Sequence, residues 1–440
     1  MLKTKGLLPA ALALAFVQPS VSLAEEAEDW AIHGQFTATE QGHPAFHSPY
    51  SGAESLDHKV QHNETTDLSL FAGFSPWEGM QLWVNPEIDQ GFGLSNTLGV
   101  AGFVSGEAYK VGKHRPYFRI PRAYAQQTFN LGGEEEEVKG DLNQLAGTRT
   151  SDRIVLTVGK LAVPDIFDAN QYAHDAKNDF LNWSILEQGA FDYAADAWGF
   201  TYGAAAEWYQ GNWAFRAGLF DMSIVPNSTA LDTTPFRQYQ IVGEVERRYA
   251  IGERGGKIRA LWYESRGYMG SYADAIAYGE ANPDAGVSAA NVRRFATKQG
   301  IGLNGEQQIT DELGAFLRAG ASQGKYEAFE FTDINRSVSG GLSLTGTHWE
   351  RPDDSVGAAY VVNGLSRAGL AYLNAGGMGI LAGDGALPHP GSERIGEFYY
   401  KVALISDTSL TLDYQYVENP AYNRDRGPVS VFGVRLHSQF

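Results

Sequence analysis

The segment Ser409-Leu-Thr-Leu-Asp-Tyr-Gln-Tyr-Val417 sets Leu410, Leu412, Tyr414 and Tyr416 against Thr411, Asp413 and Gln415. Strict alternation gives each set its own face of an extended strand, because successive side chains of a strand point to opposite sides. Two further stretches repeat the pattern. Trp213, Phe215, Ala217 and Leu219 alternate with Ala214, Arg216, Gly218 and Phe220, and Ile258, Ala260 and Trp262 alternate with Lys257, Arg259 and Leu261. Such segments return along the chain at about ten residues each, the length a tilted strand needs to cross a bilayer.

Read outward from these, the pattern predicts strands near 30–40, 64–74, 80–88, 119–131, 152–163, 198–210, 212–225 and 238–249. Eight more fall near 256–266, 297–309, 312–325, 336–346, 354–365, 394–405, 409–417 and 428–440. The total of about sixteen is even, as bacterial single-chain barrels require. The connections alternate in length. Short ones lie at 75–79, 211–212, 250–255, 310–311, 347–353 and 406–408, and longer ones at 41–63, 89–118, 164–197, 226–237, 267–296, 326–335, 366–393 and 418–427. A soluble sandwich or propeller would not produce this two-sided rhythm. Residues 132–151 break it, since they are too long for an inner turn and hold the run Glu134, Glu135, Glu136 and Glu137, which reads as a solvated loop.

The last segment ends on an aromatic, Phe440, with Phe432, Val434 and Leu436 on one face and Gly433, Arg435, His437 and Gln439 on the other. At the other end, Lys3 and Lys5 precede an apolar stretch from Gly6 to Val17, with the small residues Ser22 and Ala24 beyond it. This is the pattern of a secretory signal peptide over 1–24, with the mature chain of 25–440 starting near Glu25. Past Ala24 no apolar run is long enough for a membrane helix; the nearest, 369–383, is broken by Asn374 and by glycines. Cysteine is absent, which excludes disulfide and thiolate chemistry. The formal charge of −18 grows more negative without Lys3 and Lys5, and such a balance excludes nucleic acid as a partner. The 22 tyrosines, 23 phenylalanines and 51 glycines suit a lipid-facing barrel with aromatic girdles. The fold expected is therefore all-β: a transmembrane antiparallel β-barrel of about sixteen strands in the outer membrane of a Gram-negative bacterium.

Several blocks resemble the carbohydrate-selective porin family of the OprB type. One runs from Leu412-Asp-Tyr-Gln-Tyr416 through Glu418-Asn-Pro-Ala-Tyr-Asn-Arg-Asp-Arg-Gly-Pro428 to Phe440. Others are Tyr360-Val-Val-Asn-Gly-Leu-Ser366 and the stretch from Ala375-Gly-Gly-Met-Gly379 to Gly383-Asp-Gly385. A third block runs from Val158-Gly-Lys through Asp165-Ile-Phe-Asp168, His174-Asp175, Phe180-Leu-Asn-Trp183 and Phe191-Asp-Tyr-Ala-Ala-Asp-Ala-Trp198 to Ala206-Glu-Trp-Tyr-Gln210. The resemblance implies a porin through which small, monosaccharide-like sugars diffuse into the periplasm, without a cofactor. It further implies contact with outer-membrane lipid and lipopolysaccharide, and recognition of the strand ending at Phe440 by the barrel-assembly machinery.

A sugar pore needs a wet path whose lining groups exchange for the solute's hydration shell. The alternation sends Arg122, Arg216, Arg259, Arg318, Lys401, Arg435, Asp413 and Glu397 to the inner face, where arginine offers several donors to hydroxyls. The long connection 164–197 is the candidate constriction loop, carrying Asp165, Asp168, His174, Asp175, Asp179, Asn182 and Trp183. Folded inward, it would set its acids against the wall arginines, with Trp183 or Phe191 giving a sugar ring a flat face. Four other readings compete. The loop acids with His174 allow a divalent-metal site, though their spacing fits no calcium loop. A barrel-embedded enzyme lacks a nucleophile elbow or zinc-protease spacing. A general porin for small hydrophilic solutes and ions shares the barrel. A plugged structural or adhesive barrel would want small apolar inward residues. Asp425, between Arg424 and Arg426, reads as a turn ion pair, and the Gly376-Gly-x-Gly379 run lacks the Lys-Ser/Thr of a phosphate loop.

Overall fold

The computed structural model describes residues 27–440, and the expected signal peptide and its cleavage site lie outside the described residues. Sixteen strands follow in chain order. The first eight are β1 (Trp30–His43), β2 (Gln61–Phe74), β3 (Met80–Gly91), β4 (Lys113–Val138), β5 (Gly147–Leu161), β6 (Thr201–Gln210), β7 (Trp213–Asp221) and β8 (Tyr239–Ile251). The rest are β9 (Arg254–Met269), β10 (Arg294–Gln308), β11 (Leu313–Ser322), β12 (Arg336–Gly346), β13 (Arg351–Gly364), β14 (Glu393–Ile405), β15 (Thr408–Glu418) and β16 (Val429–Gln439). Every strand pairs antiparallel with its sequence neighbour, and β1 pairs with β16 from Gln35↔Gln439 to Gly42↔Phe432, closing the barrel. Closure leaves no free sheet edge, so every strand satisfies its backbone groups within the sheet, as a lipid environment demands. No helix among the described residues is long and apolar enough to cross a membrane.

The period-two pattern sorts as the alternation predicts. In β15, Leu412, Tyr414 and Tyr416 are exposed on the outside, whereas Thr411, Asp413 and Gln415 are buried inside. Several inward aromatics lie flat over a glycine on the paired strand. Trp83 covers Gly73, Tyr263 covers Gly300, Tyr399 covers Gly357 and Phe220 covers Gly203; in each case a β-carbon added to the glycine would lie 2.1–2.4 Å from the ring. These glycines are seats for rings, and the pairs pin the register of the strands that carry them.

The irregular stretch at 132–151 corrects the sequence reading. The four glutamates are strand, not loop: β4 and β5 run on past the barrel wall, with Glu135↔Thr150, Glu136↔Arg149 and Glu137↔Thr148 in register. Gly132 and Gly133, at φ 113° and 87°, absorb the register shifts there. The tip at 139–146 folds back, and Leu145 packs with Ala31, Phe71 and Trp83.

Connections at one end are short and those at the other long. The long ones turn into the barrel and build an apolar core inside it, with Phe167, Trp183, Phe191, Phe220, Phe329 and Tyr422 among its members. Three short helices lie in these loops: α1 (Trp183–Leu186), α2 (Tyr272–Ala281) and α3 (Arg367–Asn374).

Candidate functional site

The loop between β5 and β6 enters the barrel because its polar groups find partners on the wall. Glu397 of β14 accepts the backbone N–H of Leu181 and of Asn182, the latter at 3.0 Å. Arg318 of β11 donates to the carbonyls of Asp168, Ala173 and Ile185 at 2.8–3.0 Å and pairs with the Asp168 carboxylate at 3.1 Å. Lys298 of β10 holds Asp192 at 2.8 Å, and Arg435 of β16 donates to the carbonyls of Ala176 and Asp179. Buried charges are stable only when paired in this way. Other groups bond within the loops. Asp179 accepts the N–H of His174 and Asp175, and Asn182 caps α1 by accepting from Ser184 while donating to Gly102 O at 2.8 Å.

A second loop, 92–112, enters beside the first. Glu393 of β14 accepts the N–H of Ala101 and Gly102 at 2.8 and 2.7 Å, and Gln41 and Gln415 both donate to Val104 O. The signal for this loop is its apolar run of Leu94, Leu98, Val100, Phe103 and Val104, which a solvated loop would not carry.

The two loops leave two cavities on the β1–β6 side. A narrow one of about 240 Å³ is bounded by Asp67, Glu87, Asp89, Tyr117 and Arg122 on the wall and by Tyr109, Lys110, Lys177, Trp183, Glu187 and Phe200 from the loops. A wider one of about 940 Å³ opens toward the short turns, among Trp77, Tyr124, Gln126, Arg149, Arg153, Glu207 and Tyr209. Arg122, Asp165, His174 and Asp175 belong to both and form the waist between them. There Arg122 grips Asp165 with two parallel hydrogen bonds of 2.8 and 2.6 Å, and its guanidinium lies 5.0 Å from the Phe200 ring. Burial, then the nearby Arg318 charge, holds the His174 imidazole below its usual pKa, so it is neutral at pH 7. Higher up, Lys177 bridges Asp67 at 2.8 Å and Glu107 at 2.5 Å, and Trp183 stacks on Phe103 with ring centres 5.2 Å apart.

The structure thus divides the expected residues. Arg122, Asp165, His174, Asp175 and Trp183 border the cavities. Arg216, Arg259, Arg318, Arg435, Lys401, Glu397 and Asp413 border neither, although all stand on the inner face of their strands. Arg216 sits among Glu207, Glu244 and Glu246, and Arg259 between Glu246 and Glu306. Asp168, Asp179 and Asn182 anchor the loop, and Phe191 lies in the apolar core against Tyr193 and Tyr263. Lys110, Lys177, Asp67, Glu87 and Asp89 line the narrow cavity without having been singled out, although parity alone places the three acids inward. Asp425 pairs with His389 at 2.8 Å rather than with its neighbours, and Arg426 turns inward to Asp384. Among the described residues no group of three or more His, Cys, Asp or Glu is placed to hold a metal.

A family model described as "Carbohydrate-selective porin, OprB family" matches residues 32–440. No curated relative matches the chain. Among solved structures, the high-pH form of OprB from Pseudomonas putida superposes with a TM-score of 0.71 at 12% identity, over 94% of each chain. The low-pH form of the same protein gives 0.51 at 10% identity, over 94% of this chain and 93% of that one. The outer-membrane channel DcaP of Acinetobacter baumannii gives 0.51 at 11% identity, over 94% and 97%. At such identities the likeness speaks for the fold.

Proposed function

The chain belongs to the OprB family of carbohydrate-selective porins, and from that premise we propose that a small neutral sugar is selected in the narrow cavity and at the waist below it. The barrel is an outer-membrane channel, so the solute moves down its own gradient and selection comes from bore, lining groups and charge. The observation that carries the reading is the waist, where Arg122, Asp165, His174 and Asp175 border both cavities. Donors and acceptors stand there side by side, as a sugar hydroxyl needs in exchange for water. Trp183, stacked on Phe103, gives the narrow cavity an apolar border for the ring of a sugar.

Planar bilayers and sugar-loaded swelling liposomes test this with refolded protein. The wild type is expected to conduct ions, to be blocked by a monosaccharide and to admit it into liposomes; absence of both conductance and swelling sinks the reading. Arg122→Ala should widen the waist, raising conductance and weakening sugar block about tenfold, the worth of one charge-assisted hydrogen bond. No change in either takes Arg122 out of the path.

The same reading includes export with removal of residues 1–24, insertion assisted by the assembly machinery acting on the Phe440-terminated strand, and an outer belt in contact with lipid and lipopolysaccharide. Mass spectrometry of the outer-membrane form should place its start near Glu25, and an intact leader would refute the cleavage.

A further inference from the structure

From residue 180 to residue 197 every position is buried except Glu187. It follows α1 directly, where its N–H donates to Trp183 O at 3.1 Å, and its side chain turns into the narrow cavity beside Trp183, Leu186 and Tyr193. The other carboxyls of the loop are taken by wall side chains or by N–H groups of the loop itself. Glu187 keeps one carboxyl oxygen, Oε2, buried and without any hydrogen-bond partner. Arg318, the cation that acts on it, is committed to Asp168 and to three loop carbonyls. A loop that partners its other carboxyls and leaves this one at the border of the cavity offers it to something that passes through.

We propose that Glu187 is a specificity-determining residue of the channel, a carboxyl that contacts the passing sugar in the narrow cavity beside the Trp183 ring. The assignment rests on the sugar-porin reading above and names a contact within it.

The chemistry of the position sets what the contact is. Burial, then repulsion from Asp168, pushes the Glu187 carboxyl up to about 8; Arg318 and Tyr193 pull it down and Asp165 adds to the rise. At pH 7 the group is a neutral acid offering one donor and one acceptor, which matches a hydroxyl that both gives and takes a hydrogen bond. It then adds no fixed charge to the bore. Above pH 8 it becomes a carboxylate with no ion-pair partner of its own, which holds cations in the narrow cavity and competes with a neutral solute.

The test uses the full-length protein in planar bilayers, with glucose as the neutral sugar probe and reversal potentials in a salt gradient as the measure of charge. At pH 6.5, Glu187→Leu should weaken sugar block by about three- to tenfold, the worth of one hydrogen bond, and Glu187→Gln should recover most of that loss. The wild type should become more cation-selective between pH 7 and 9, and both variants should show a smaller rise, left to the other acids of the cavity, Asp67, Glu87 and Asp89. Unchanged block in Glu187→Leu overturns the contact, and a pH shift of wild-type size in Glu187→Gln assigns the titration to another group and overturns the charge assignment. The wild-type pH shift needs no variant to fold, so its absence counts against the proposal directly. A wild type without sugar block at any pH instead removes the porin reading beneath it, and the two failures are thereby told apart.

Discussion

Arg318 and Arg122 bring the same guanidinium into the same barrel, and their surroundings give them opposite uses. Arg318 is 1% exposed and spends its donors on Asp168 and on the carbonyls of Asp168, Ala173 and Ile185. Arg122 meets Asp165 at the waist, where both cavities reach it. Arg318→Ala therefore takes the cation from a buried carboxylate, which keeps only the neutral donors Gln188 and Asn304, and removes the donor from the carbonyls of Ala173 and Ile185, a loss of about 3–5 kcal/mol for breaking a buried pair from one side. The expected outcome is a loosened loop: larger, noisier single-channel currents and faster proteolysis within 164–197. A quiet channel with the wild-type cleavage pattern would show that the other anchors suffice. The contrast also marks how far residue-level reading reaches. Parity of β11 and β4 places both arginines inward, because successive side chains of a strand must alternate. Whether an inward side chain then meets water or a loop depends on where residues 150 positions away travel, and no local pattern carries that.

At the scale of elements, sixteen strands are legible because each must cross the same thickness with one face in lipid and the other polar, which leaves length and alternation as direct traces. The β4–β5 hairpin shows where those traces stop. Beyond the membrane the lipid constraint lapses, so Glu134–Glu137 carry no apolar face and look like a loop, yet the hydrogen-bond ladder continues through Glu137↔Thr148. What holds the overhang is nonlocal. Leu145 inserts beside Ala31, Phe71 and Trp83, Glu28 accepts the N–H of Ala146 at 2.8 Å, and Arg149 pairs with Glu136 at 3.1 Å. The loop 92–112 had a readable trace, since an apolar connection in a barrel must bury itself somewhere. For 164–197, length and acid content made it the candidate for a constriction, and the structure resolves those acids into one pair at the waist, Asp165 with Arg122, and several anchors.

Taken whole, the molecule has two interiors inside one wall. The side lined by β1–β6 keeps the polar cavities, and the loops fill much of the remainder with an apolar core that soluble proteins would place between layers. The wall owes little to that core, because its stability comes from a closed ladder that can open only by parting two strands along their whole length. The bore owes it everything, since the loops that define the cavities are held by it. The two can be separated at Phe329. Its ring is fully buried, lies over Gly267 of β9, and its backbone N–H donates to Asp192, which Lys298 holds from β10. Phe329→Ala removes a large ring from the middle of the core and costs about 3–5 kcal/mol there. The expected outcome is a barrel that still migrates as the compact heat-modifiable form on gels and keeps its β-sheet circular dichroism. Its conductance should rise, its currents should fluctuate among substates, and sugar block should weaken as the narrow cavity loses its shape. If the substitution instead unfolds the barrel, the loop core and the wall form one cooperative unit. If conductance and block stay at wild-type values, the cavities are shaped by the wall anchors Arg318, Lys298 and Glu397 without help from the apolar core.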